Sequence, residues 1–169
     1  MLISRADGRH NAAMSRYSAL VQRLGHQRWF ATMGRWITPL DRWLQRRTRG
    51  KLTTAGWHPL PYLLITTTGR RTGQPRTQPL LYARDGDDYV VVGSNWGQAH
   101  HPAWTANLLA RPDAVVSVDG RAAPVRAVLA EGEDRERLLT ELARVWPAYR
   151  TYQRRAAGRD LRVFRLTTN

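Results

Sequence analysis

The residues with the clearest chemical capacity are arginines bracketed by glycines. Thr66-Thr67-Thr68-Gly69-Arg70-Arg71-Thr72-Gly73-Gln74-Pro75-Arg76 leads a β-branched run into a loop carrying three guanidinium groups. Guanidinium offers paired donors in fixed geometry, and glycines let the backbone approach closely, which is what a phosphate needs. No Gly-Lys-Ser/Thr ends the loop, so it is not a Walker loop. The same composition suits an ordinary hairpin with solvated arginines, and both readings stay open. Ser94-Asn95-Trp96-Gly97 places short polar groups after a strand, where they can bond the edge of a planar heterocycle or merely each other. Pro102-Ala103-Trp104-Thr105-Ala106-Asn107 opens a helix whose free N–H groups suit an anion; Trp104 either walls a ring pocket or fills the core. Trp146, Tyr149 and Tyr152, three apart, share a helical face that closes over a flat substrate or simply packs inward. Trp146 is expected to be more buried than either tyrosine.

Other chemistries are excluded. The 169 residues contain no cysteine, which removes disulfides, thiolate metal sites and cysteine nucleophiles. His100 and His101 are adjacent and diverge, with no acidic residue at ligand spacing, so no metal is expected. The carboxylates gather in turns and at one helix start, leaving no acid–base dyad, and there is no Gly-x-Ser-x-Gly elbow. An enzyme built this way brings its reactive group in a cofactor. The net charge is +14, from 27 Lys+Arg against 13 Asp+Glu, which implies an anionic partner unless the arginines are only solvated. No apolar run is long enough to span a bilayer, and Met1 to Arg5 lack the apolar core of a secretory signal. A cytoplasmic location follows as the expectation, with peripheral contact at the inner face of the membrane as an addition.

The elements that must hold these residues follow from periodicity. Tyr17, Leu20, Val21 and Leu24 begin an N-terminal helical series, continued by Met33, Trp36 and Ile37 and restarted at Pro39. Residues 23–51 mix Trp29, Phe30, Trp36 and Trp43 with repeated arginines, a composition for packing on a barrel or lying on an anionic bilayer. From Leu60 the pattern becomes β: Leu63 to Thr68, then Thr77 to Arg84 and Tyr89 to Gly93 about Asp85-Gly86-Asp87-Asp88, then Ala114 to Val118 and Ala122 to Ala130 about Asp119-Gly120. A short helix opens with Pro102 in its first position, a longer one covers Gly132 to Val145, a segment restarts at Pro147, and Leu161 to Thr167 form a last strand. Two hairpins, two flanking strands and few helices predict an α+β chain built on a small antiparallel barrel. The division is a helical extension over 1–58 and a barrel domain over 59–169.

In this order the segments resemble the deazaflavin-dependent nitroreductase family, from about Leu60 to Thr167. The resemblance rests on the Thr66 to Arg76 segment, Pro79-Leu80-Leu81, Arg84-Asp85-Gly86, Ser94-Asn95, His101-Pro102-Ala103-Trp104 with Asn107-Leu108, and Tyr149 with Tyr152; Pro39-Leu40-Asp41-Arg42-Trp43 is similar to the family's approach to the barrel. It implies an FMN-binding-like split β-barrel and the cofactor F420, a deazaflavin with a phosphate and an oligoglutamate tail. Arg70, Arg71, Thr72 and Arg76 would hold the phosphate end, and Thr77, Gln78, Pro79, Leu80 and Leu81 would line the groove. Val92, Gly93, Ser94 and Asn95 would sit against the deazaflavin, with Ala103, Trp104, Thr105, Ala106 and Asn107 continuing that wall. Tyr149 and Tyr152 would act on the substrate side, protonating a quinone or nitroaromatic acceptor after hydride transfer. Lysine is common in the family where Arg71 stands, and the charge is kept; Trp146 stands where tyrosine also occurs and narrows the pocket. Two other classes compete. Seven tryptophans and many arginines would suit a nucleic-acid-binding barrel, yet the motifs are not those of RRM or cold-shock folds, and no nucleic-acid partner is expected. An FMN- or heme-binding split barrel is the other.

Overall fold

A computed structural model describes residues 60–156 and 158–168. The helices expected within 1–58 lie outside the described residues. The strands are β1 (Tyr62–Thr68), β2 (Pro75–Asp85), β3 (Asp88–Val92), β4 (Asp113–Val118), β5 (Arg121–Ala130) and β6 (Val163–Thr168). They close into a barrel in the order β1-β2-β3-β6-β5-β4, every neighbouring pair antiparallel. β1 and β2 pair directly, from Tyr62 opposite Leu81 to Thr68 opposite Pro75. There are therefore three hairpins where composition pointed to two, because the arginine-rich loop is itself a hairpin connection. At the other two turns the chain leaves the right-handed region: Gly86 has φ +62°, and Asp119 and Gly120 have φ +49° and +78°. Primed hairpin turns require this, and Asp and Gly tolerate it.

Alternation sorts the side chains. In β1, Leu63, Ile65 and Thr67 are buried while Tyr62, Leu64, Thr66 and Thr68 are half-buried. The barrel interior holds Leu63, Ile65, Val91, Val116, Phe164 and Leu166, joined by Trp104 and Leu108 of α1 (Ala103–Ala110). A second core lies outside the barrel. There α2 (Gly132–Val145) and α3 (Ala148–Arg155) lay Leu138, Leu139, Leu142, Tyr149 and Tyr152 over Ala83, Val90, Val92 and Val163. β3 is thus covered on both faces, which is why it reads Val90-Val91-Val92 without a polar alternate. α2 carries Glu133 and Asp134 in its first turn and Arg144 in its last, matching its dipole. Arg137 bridges Asp85 at 2.8 Å and Asp134 at 2.8 Å, and Arg165 reaches the same two carboxylates at 2.7 and 3.1 Å. These partly exposed pairs add little stability singly, but together they fix α2 against the β2–β3 turn and β6. Arg137 and Arg165 hold the Asp85 carboxyl below the ordinary carboxylate range.

Two expectations need correction. Pro102 caps α1 from outside (φ −65°, ψ 145°) and the helix begins at Ala103. Trp146 is not more buried than Tyr152: the two are 5% and 1% exposed, because the phenol, not the indole, lies deeper beneath the α2–α3 corner.

Candidate cofactor site

The loop after β1 is closed by its own backbone. Gly69 N–H donates to Gln74 O at 2.8 Å, and Gly73 N–H to Gly69 O at 2.7 Å. Gly73 takes φ +68°, and a Cβ at Gly69 would stand 2.9 Å from Thr72 Oγ1. Arg70, Arg71, Thr72 and Arg76 are exposed. Among the described residues none of the three guanidinium groups has a hydrogen-bonding or ion-pair partner. That contrasts with Arg126, Arg137, Arg144 and Arg165, each on a carboxylate.

The loop is anchored through Asn107 of α1, which is buried. Its Oδ1 accepts from Arg70 N–H at 3.1 Å, and its Nδ2 donates to the buried Thr67 Oγ1 at 3.0 Å. Asn107, expected on the cofactor wall, therefore spends its amide tying that wall together. Asn107→Ala is expected to destabilise the fold by about 1–3 kcal/mol, because the Thr67 hydroxyl is left buried without this donor. Urea unfolding measures the loss; an unchanged midpoint would mean the tie contributes nothing.

The end of β3 meets α1 on its other side. A Cβ on Gly93 would lie 2.5 Å from Thr105 Cγ2, so only glycine lets strand and helix touch. Thr105 is fully buried, donates to Pro102 O at 2.9 Å and accepts from Arg162 Nη1 at 3.2 Å. The chain then enters a left-handed turn: Asn95, Trp96 and Gly97 have φ +45°, +57° and +75°. Left-handed backbone costs an L-residue roughly 1–2 kcal/mol. Asn is tolerant; Trp96 must be held by its surroundings. Its ring meets Tyr152 edge-on at 6.1 Å, and Gly97 presses on the Tyr152 backbone, where a Cβ would stand 3.0 Å from Cα.

Sequence reasoning missed the residue at the centre of this turn. The Arg159 side chain donates to Gly93 O at 3.2 Å, Ser94 O at 3.0 Å and Gln98 O at 2.8 and 3.1 Å. Its Nη1 also lies 3.1 Å from His101 Nδ1. Gly158-Arg159-Asp160 reads as a polar connector, and its partners lie some sixty positions away, so no local pattern marks it. Arg162 and His101 belong to the same cluster. Burial, then the charges of Arg162 and Arg159, hold the His101 imidazole below its ordinary value. As pH falls below about 6.5 the unfolded chain takes up this proton before the folded one, so stability is complete above that pH and declines below it. Urea midpoints are expected to fall on acidification more in the wild type than in His101→Gln; parallel profiles would contradict the assignment.

The other expected residues divide by exposure. Thr77 to Leu81 are half-buried along β2, with Thr77 Oγ1 2.8 Å from Thr66 Oγ1. Val92, Gly93, Trp104, Thr105 and Asn107 are buried, whereas Ser94, Asn95 and Ala106 are half-buried and Ala103 is exposed. Trp104 packs on Phe164 at 5.7 Å inside the barrel, its core role. Tyr149 and Tyr152 meet edge-on at 6.2 Å and are 6% and 1% exposed. Burial pushes both phenols up, and Tyr152 Oη lies 3.4 Å from the Trp146 Nε1 donor. The four segments are thus one continuous wall. Asn107 joins the arginine loop to α1, Gly93 and Thr105 join α1 to the turn, and Trp96 and Gly97 join the turn to α3. Among the described residues no group of three or more His, Asp or Glu could hold a metal, and no helix is long and apolar enough to cross a membrane.

A closed antiparallel barrel with outer helices defines a split-barrel protein. The chain belongs to the F420H(2)-dependent quinone reductase family, whose family model matches residues 39–168. An F420H(2)-dependent quinone reductase of Mycobacterium tuberculosis (strain H37Rv) is 42% identical over 86 residues, 51% of this chain and 54% of the relative. The chain thus spans about half the length of this relative. A solved F420-H2 dependent reductase, FDR-A, is 33% identical with a TM-score of 0.59, covering 66% of this chain and all of that one. A second solved structure, a domain-swapped dimer, is 32% identical with a TM-score of 0.60, covering 77% of this chain and all of that one.

Proposed function

We propose that this chain uses reduced F420 to deliver a hydride to a flat, electron-poor acceptor, a quinone before a nitroaromatic. The observation that carries the reading is the set of three guanidinium groups that have no partner among the described residues, on a loop that α1 ties to the Ser94–Gly97 turn. The residues fit the group. An anionic arm with a phosphate and several carboxylates suits Arg70, Arg71 and Arg76 with the Thr72 hydroxyl, and a planar ring suits the half-buried Ser94 and Asn95. A relative named as an F420H(2)-dependent quinone reductase and a solved structure named as an F420-H2 dependent reductase support the same reading.

When bound, reduced F420 supplies the hydride from C5 of its deazaflavin. The chain's own task is alignment and exclusion of water. The arginine loop fixes one end of the ligand, and the wall from α1 to the turn fixes the other. Tyr149, like any phenol, carries its proton at neutral pH, and burial raises its phenol further. The Tyr149 and Tyr152 phenols are both buried, edge-on to each other, and the proton handed to the reduced acceptor is assigned to this pair. No nucleophile or strong base is required, in keeping with the absence of an acid–base dyad from the sequence.

Mixing the protein with reduced F420 and a panel of quinones and nitroaromatics, and following oxidation of the coenzyme, tests the reading. Turnover is expected with quinones. Coenzyme binding without turnover of any flat acceptor would contradict it. Peripheral membrane contact through residues 23–51 is a separate proposal supported by their basic, aromatic composition. Full-length protein should sediment with anionic vesicles and not with zwitterionic ones; remaining in solution with both would end the proposal.

A further inference from the structure

We infer that Arg159 is a positioning residue for hydride transfer: it clamps the Gly93–His101 segment so that the Ser94–Trp96 amides form a ready-made concavity for a ligand oxygen. The inference rests on the proposed F420 reading for its kinetic consequence, but the clamp itself is a property of the chain alone. A guanidinium has five N–H donors, and the acceptors within hydrogen-bonding distance occupy them: Gly93 O, Ser94 O, Gln98 O twice, and His101 Nδ1. Arg159 therefore has no donor left for an anion, and its work is structural. It grips the carbonyls on both flanks of the left-handed turn, two before it and one after.

The turn needs such a grip. Two of its three left-handed residues are not glycine, and strained backbone persists only where its surroundings over-determine it. The outcome is a particular arrangement of amides. Ser94 is right-handed (φ −71°, ψ −33°) and Asn95 left-handed (φ +45°), the succession that turns consecutive N–H groups into one anion-binding hollow. Gly97 and Gln98 use their N–H groups within the turn, donating to Ser94 O and Asn95 O. Among the described residues those of Ser94, Asn95 and Trp96 have no acceptor. With the carbonyls drawn to Arg159, these three donors are what the turn offers to a carbonyl oxygen of a ring or acceptor. Arg159 also fixes His101: with Nη1–H donating to Nδ1, the imidazole proton sits on Nε2.

Arg159→Ala and Arg159→Lys test this, the lysine variant supplying three donors without the planar fork and carrying the test if the alanine variant does not fold. In protein without coenzyme, the Gly97 and Gln98 amides should exchange at least about tenfold faster in the variant while barrel amides keep their protection, as local opening predicts. The His101 Nδ1 nitrogen resonance should also move. With reduced F420, kcat should fall about a hundredfold, as expected for a misaligned ring. The coenzyme Kd, set by the untouched arginine loop, should change less than about threefold. Guanidinium ion should restore part of kcat to Arg159→Ala where equal sodium chloride does not. Unchanged exchange, or wild-type kcat in both variants, would overturn the inference. Wild-type protein that binds no F420 would sink the F420 reading instead, leaving the exchange and imidazole measurements to judge the clamp.

Discussion

Replacing Arg70, Arg71 and Arg76 together by glutamine is expected to weaken F420 binding by about a hundred- to a thousandfold at low salt. Each charge-assisted hydrogen bond from an exposed arginine to the ligand is worth on the order of one decade of affinity. The fold should be indifferent: among the described residues these side chains hold nothing, so the thermal midpoint should stay within about two degrees of wild type, as for surface substitutions generally. Because the attraction is between solvated charges, added salt should narrow the gap between variant and wild type. A deazaflavin lacking the phosphate and glutamate arm should bind both proteins equally and weakly. Fluorescence titration with the two ligands checks all of this. Equal F420 affinities would place the anionic arm elsewhere.

Tyr152→Ala is expected to have the largest effect on stability. The phenol is 1% exposed and sits where three elements converge: edge-on to Trp96, edge-on to Tyr149, and against Trp146 Nε1. Removing a buried aromatic ring costs about 3–5 kcal/mol, and here the cavity would open beneath a turn already in left-handed backbone. Tyr152→Phe separates packing from the hydroxyl. It should lose about 1 kcal/mol, the low end for an indole donor left without its acceptor, given the 3.4 Å separation. Urea unfolding of both variants reads the difference. Similar losses would mean that the hydroxyl, not the ring, secures the corner.

The barrel is legible in the sequence because its signals are local. Alternation in β1, Asp-Gly turns at 86 and 119–120, and the apolar stripe of α2 with acids at its start each depend on residues a few positions apart. Periodicity and charge place the long helix over Gly132 to Val145, the boundaries it has. The pairing of β1 with β2 is not legible, since the loop looks equally like a phosphate cradle; it is a hairpin connection, and its arginines have no partner among the described residues all the same. Of the site, the segments are legible and their joints are not. Asn107 is expected to face a ligand but is a buried strut, because only the fold brings Thr67 and the Arg70 amide to its two ends. Tyr149 and Tyr152 lie on one face of α3, as their spacing predicts, but Trp146 ends α2 in extended backbone (φ −137°, ψ 91°) and belongs to the corner between the two helices, not to that face. Spacing alone does not rank their depth, which depends on where Gly97 lets the turn approach α3. Arg159 leaves no trace in the sequence, since a hub of backbone carbonyls has no composition.

The central claim is that the arginine loop and the adjoining wall select a deazaflavin with an anionic arm over other ring-bearing ligands of this barrel architecture. Titrating the full-length protein separately with F420, FMN and heme, at low and high salt, measures that selection directly. The account predicts tightest binding of F420, weakened by salt and by the triple arginine substitution. Equal or tighter binding of FMN or heme, or F420 affinity indifferent to those arginines, would contradict it.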